Sequence, residues 1–118
     1  MPQPDRAIDP TAVAAAQKQM LSGPSEKDAR RILESLCDPT RVKIIRALEE
    51  TPLAASDLAQ VIGRTRSATS QHLRVLREVD AVQAERKGNV VRYRLGSGAA
   101  AEVLRDACRA FDRLEEAS

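Results

Sequence analysis

The sequence predicts a mainly α chain carrying one small β-hairpin, its elements running α-α-α-α-α-β-β-α. Three observations predict it. Apolar residues recur at helical spacing over most of the chain, and the pattern changes period once, after Asp80, to give two short strands. The apolar 42% contains one Phe, one Tyr and no Trp, which leaves the core to Leu, Ile, Val and Ala and favours helices. At 118 residues the chain is one domain's worth, with a modest core.

Each element has its own signals. Asp9 is placed to cap a first helix that starts at Pro10, continues through TAVAAAQKQML and stops at Ser22-Gly23-Pro24. Ser25 with Asp28 resembles a capping box and opens a second helix to about Cys37, with Ile32, Leu33, Leu36 and Cys37 as its apolar stripe. Asp38-Pro39 restarts the chain as a third helix, with Val42, Ile45 and Leu48 inward, and Thr51-Pro52 ends it. A fourth helix over residues 55–62 buries Leu58, Val61 and Ile62 and stops at Gly63. Thr65 caps the fifth helix, residues 66–79, and the short link from Gly63 to Thr65 makes the pair a helix-turn-helix. VQAER and VVRYRL then read as strands joined by a turn at Lys87, Gly88 and Asn89. Ser97 caps a last helix to about Glu115, with Val103, Leu104, Ala107, Cys108, Phe111 and Leu114 on its apolar side.

Charge is unevenly placed. The whole chain is only +2, but residues 64–94 hold Arg64, Arg66, Arg74, Arg77, Arg86, Lys87, Arg92 and Arg94 against Glu78, Asp80 and Glu85. That local excess of five is a footprint for a polyanion, a solvated helix face being the plainer alternative. The fifth helix, RSATSQHLRVLREV, sets polar side chains at its front and grease behind. A helix that enters the DNA major groove needs short polar groups and Arg near its N-terminus, and Arg66, Ser67, Thr69, Ser70 and Gln71 supply them. Ala68, Leu73 and Leu76 anchor its rear. Arg64 and Thr65 in the turn, Arg74 one turn on, and Arg86, Lys87, Asn89 and Arg92 on the hairpin complete the candidate DNA-binding set. The fold class is therefore a winged helix-turn-helix. His72 is expected to be a packed or hydrogen-bonded residue rather than a ligand, and Tyr93 to be packed.

Taken together, LESLCDPTRVKIIRALEE, SDLAQVIG, TRSATSQHLRVLREVDAV and ERKGNVVRYRL resemble the ArsR/SmtB family of bacterial winged-helix repressors over about residues 26–115. The resemblance implies a homodimer whose first and last helices form the interface, and paired recognition helices that read an inverted-repeat operator in double-stranded DNA. It places DNA reading on Arg66, Ser67, Ser70 and Gln71. The implied division is a flexible tail over residues 1–9, a dimerisation helix over 10–24, the DNA-binding core over 25–97 and a second dimerisation helix over 98–118. Asp80 departs from the family, which usually has Gly there; Asp adopts a left-handed backbone only at some cost.

The family's metal sites do not transfer. Its thiolate segment corresponds here to PLAASDL, without sulfur, and the last helix, SGAAAEVLRDACRAFDR, has no His, so no metal and no cofactor is expected. Cys37 and Cys108 remain as a candidate sensor for reactive sulfur, an oxidant or a soft metalloid. The plainer reading makes both small core residues, since each sits on an apolar stripe. Dithiol-sensing members carry their first Cys about three turns further on, where this chain has Arg46.

The expected function is a dimeric, sequence-specific repressor released from its operator by a small effector. The alternatives are a repressor with structural cysteines and another inducer, or a winged-helix module that binds protein instead of DNA. An enzyme is not expected: there is one His, with no nucleophile-base arrangement and no phosphate-cradling Gly loop. No apolar run reaches membrane-spanning length, and MPQPDRAIDP lacks the regions of a secretory signal. Two cysteines make no disulfide framework, so a cytoplasmic protein is expected.

Overall fold

In the computed structural model, which describes residues 6–117, side-chain caps open four of the six helices. Asp9 accepts from the Ala12 amide ahead of α1 (Pro10–Gln17), and Asp38 from the Thr40 amide ahead of α3 (Pro39–Glu50). Thr65 accepts from the Ala68 amide ahead of α5 (Arg66–Glu78). Each satisfies an amide that has no carbonyl partner in the first turn, worth about 1 kcal/mol per cap.

The fourth cap corrects the sequence reading. Ser22-Gly23-Pro24 is not the end of a helix but the start of α2 (Gly23–Ser35): Ser22 is the N-cap, and its hydroxyl accepts from the Ser25 amide. Proline in a first turn lacks only an N–H that would go unbonded anyway. The preceding helix stops earlier than expected, at Gln17, in turns closed by Gln19 N to Ala16 O and Met20 N to Gln17 O. Of the tail expected over residues 1–9, residues 1–5 lie outside the described part.

A two-residue strand, β1 (Leu53–Ala54), follows α3 and was not expected. It leads into α4 (Ala55–Ile62), which Gly63 ends at φ 68, a left-handed value that glycine takes without penalty. The hairpin is β2 (Val82–Lys87) and β3 (Val90–Leu95), paired from Val82 with Leu95 to Lys87 with Val90. Lys87 is thus a strand residue, and the turn is Gly88-Asn89 with Gly88 at φ 63. β1 adds to the other edge of β3, Leu53 opposite Tyr93, giving the order β1-β3-β2. Two residues are too few for a periodicity signal; the pairing comes from the fold.

α6 (Ala99–Ala117) closes the chain against α3. The core joins Ile44, Ile45 and Leu48 of α3 to Leu58 and Ile62 of α4, Leu73 and Leu76 of α5, Val82 of β2, and Leu104 and Cys108 of α6. Burying a Leu or Ile contributes roughly 1.5–3 kcal/mol, so these residues fix how α5 sits. One residue expected inward on α4 is not. Val61 is 61% exposed, because the row 58, 59, 62 faces the core and Ala59 takes the buried place. Val42 is half-buried and packs against the core, as expected, beside fully buried Ile44. Leu33 and Cys37 of the second stripe are exposed, as are Val103, Phe111 and Leu114 of α6. No helix among the described residues is long and apolar enough to cross a membrane.

Candidate nucleic-acid interface

α5 divides cleanly by helical spacing. Thr69, Leu73 and Leu76 are buried, while Arg66, Ser70, Arg74 and Arg77 form one outward row and Ser67, Gln71 and Glu78 the next. Its first turn holds no acidic residue to offset the partial positive charge of the helix start.

One candidate is corrected. Thr69 has no exposed surface, and its hydroxyl donates to the Thr65 carbonyl at 2.8 Å, so it holds the helix start together and cannot reach a base. The 3.6-residue period carries the reason: 69 lies one turn before 73, on the core row. Thr65 is occupied as the cap. Arg64 bends away from the outward row, its guanidinium donating to Thr40 Oγ1 at 3.5 Å.

The wing presents Arg92 and Arg94 on the exposed face of β3, with Val91, Tyr93 and Leu95 alternating to the covered side. Arg94 pairs with Glu85 at 3.4 Å, and Arg86 Nε donates to the Gly88 carbonyl at 3.2 Å, which ties down the hairpin tip. Lys87 and Asn89 stand exposed beside it. Among the described residues, Arg66, Arg74, Arg77, Lys87 and Arg92 have no carboxylate within ion-pair distance. Arg77 extends the outward row and was counted in the sequence only as charge.

Behind α5 lies a polar cluster that the sequence reading passed over as a helix start. Arg41 Nε donates to His72 Nδ1 at 3.3 Å, and the Asp38 carboxylate stands 3.7 Å from the same nitrogen. The Thr40 amide, with lesser help from the nearby Arg41, holds the Asp38 carboxyl below its ordinary pKa against the opposing effect of burial. His72 is hydrogen-bonded, as expected. A lone His facing an Asp-Pro-Thr-Arg helix start was the available signal.

The two cysteines differ in setting. Cys37 is exposed, its thiol 3.5 Å from the Leu33 carbonyl, while Cys108 is buried. Burial, with Glu49 nearby, pushes the Cys108 thiol up to about 11. Both are free thiols. Arg46, where a first sensor cysteine would stand, ties α3 to α6 through Asp112 at 2.6 Å and the Cys108 carbonyl at 3.3 Å. No group of three His, Cys, Asp or Glu among the described residues is placed to hold a metal ion.

Known proteins share the sequence pattern and the fold. The pattern of bacterial regulatory proteins of the arsR family matches residues 38–84, from the cap of α3 into the first wing strand. The HTH-type transcriptional repressor SmtB of Mycobacterium tuberculosis is 30% identical over 98 residues, 83% of this chain and 69% of that protein. The chain belongs to the arsR family. Another relative, the regulator NmtR of M. tuberculosis, is 39% identical over 75 residues, and the match spans 64% of this chain and 62% of NmtR. Among solved structures of this fold, the transcriptional repressor BigR from Xylella fastidiosa superposes with a TM-score of 0.69 at 28% identity, covering 78% of this chain and 91% of BigR. In this arsR-family chain the matched segment contains α5, its cap and the Asp38 cluster, and these relatives are transcriptional regulators rather than enzymes.

Proposed function

We propose that the chain is a dimeric transcriptional repressor that reads an inverted-repeat operator through α5 and the wing. The observation that carries this is the set of uncompensated cations, Arg66, Arg74, Lys87 and Arg92, on the outward faces of those two elements. Surface cations with no partner are what a phosphate backbone neutralises, and Ser67, Ser70 and Gln71 between them are the groups that reach base edges. In this reading Arg66 contacts guanine or phosphate, and Lys87, Asn89 and Arg92 hold the wing on the backbone.

Dimer formation is supported by the apolar side chains left exposed on the terminal helices: Val13 on α1, Met20 and Leu21 after it, and Val103 and Phe111 on α6. A second copy that covered this face would set two α5 helices roughly 34–36 Å apart, one turn of DNA. Release by a small effector fits the Arg46 strap, since any shift of α6 is passed to α3 and so to the helix-turn-helix. Buried Cys108, a neutral thiol at pH 7, supports a structural role for that residue over a dithiol switch.

The test is a nuclease footprint on the DNA upstream of the protein's own gene. Two protected half-sites about one helical turn apart support the reading. Protection of a single half-site would remove the dimer, and no protection at low salt would remove DNA binding.

A further inference from the structure

Apolar side chains hold α5 from behind, and at its C-terminal end Arg31 of α2 donates to the Glu78 carbonyl at 3.3 Å. One directional tie crosses to it from α3. Arg41 Nε donates to His72 Nδ1 at 3.3 Å, and a nitrogen that accepts this bond carries no proton. Asp38 Oδ2, 3.7 Å from the same nitrogen, is beyond hydrogen-bond range. Asp38 is itself fixed by the Thr40 amide at 2.8 Å, and Thr40, buried, takes the Arg64 guanidinium on its hydroxyl. The helix start of α3 therefore grips both the turn before α5 and the middle of α5. His72 is one residue past Gln71, on the helix side opposite Ser67 and Ser70.

We infer that Arg41 and His72 form a clasp that sets the rotation of the recognition helix, Arg41 acting as a positioning residue through His72 while Asp38 fixes the helix start from which Arg41 reaches. The clasp makes the difference between operator and arbitrary DNA. Attraction to phosphate survives a small rotation of α5; bidentate contacts to base edges do not. This inference rests on the operator-reading function proposed above.

The test uses the full chain and a duplex selected by the wild-type protein from random sequence, with a scrambled duplex as control. The quantity read is the ratio of the two affinities. His72→Leu and Arg41→Met are each expected to lower the ratio about tenfold, the loss of one hydrogen bond to a charged group, with scrambled-duplex binding by His72→Leu little changed. The double variant is expected to lose no more than either single one. His72→Asn places an amide oxygen where Nδ1 stood, and is expected to keep the wild-type ratio. Either single variant keeping the full ratio, additive losses, or an Asn variant no better than Leu would overturn the clasp. Should His72→Leu fail to fold, Arg41→Met and His72→Asn decide: the first must lose the ratio and the second must keep it. A wild-type protein that selects no duplex at all overturns the operator reading itself, and the clasp with it.

Discussion

The Gly96 backbone lies directly against the Asp80 carbonyl oxygen, so closely that a Cβ at residue 96 would collide with it. Asp80 is the only residue other than glycine with a positive φ among those described, at 60, and it turns the chain from α5 into the wing. Gly96 N donates to the Ala81 carbonyl at 2.9 Å at the same corner, which binds the end of β3 to the exit of α5. The angle between α5 and the hairpin is set here.

Substitution on the two sides of this corner has opposite signs. Gly96→Ala forces backbone apart and is expected to cost about 1–3 kcal/mol. Asp80→Gly relieves the left-handed strain and is expected to stabilise by about 0.5–1 kcal/mol after glycine's extra chain entropy. Urea unfolding of the two variants measures both, and a neutral Gly96→Ala would contradict the close approach.

Thr69→Val separates reading from support. It removes the hydroxyl that donates to the Thr65 carbonyl but keeps the buried shape, so stability falls by about 1 kcal/mol. Operator affinity, measured on protein still folded, stays at the wild-type value. A loss of affinity larger than the loss of folded protein would return Thr69 to the DNA surface.

The sequence was most legible where a local rule had no competitor. Asp38-Pro39, Gly63, Thr65 and the bounds of α4 stand where capping and turn chemistry place them. Ser22-Gly23-Pro24 carries residues used at both ends of helices, and only the packed chain shows which end it serves. The outward row of α5 was readable from its polarity, but Thr69 was not: its type suits a groove, and only its place one turn before Leu73 makes it core. β1 and the Arg41–His72 bond join residues far apart in the chain, and no periodicity encodes them.

Cys108 gives a pH signature. Its folded pKa is raised from the usual thiol value of 9.0 to about 11, so the thiol's contribution to stability is whole below pH 9 and is lost as pH rises through about 11. Thermal melts of wild type and Cys108→Ala between those limits are expected to converge, the wild type losing more. In the folded protein at pH 7, a small alkylating reagent is expected to modify exposed Cys37 and spare Cys108. Equal labelling of both would show Cys108 to be accessible.

Arg66 and Lys87 test the two halves of the interface differently. Arg66→Ala is expected to weaken operator binding by about 1–3 kcal/mol and scrambled DNA much less. Lys87→Ala is expected to weaken both, and to lower the dependence of affinity on salt by about one ion.

The most direct measurement is a fluorescence anisotropy titration of the wild-type protein onto its own upstream DNA and onto a scrambled duplex, each at two salt concentrations. Uncompensated Arg66, Arg74, Lys87 and Arg92 beside Ser70 and Gln71 predict tighter binding to the upstream duplex, with affinity for both falling steeply as salt rises. Equal affinity for the two duplexes, or no binding to either at low salt, would contradict sequence-specific recognition by α5 and the wing.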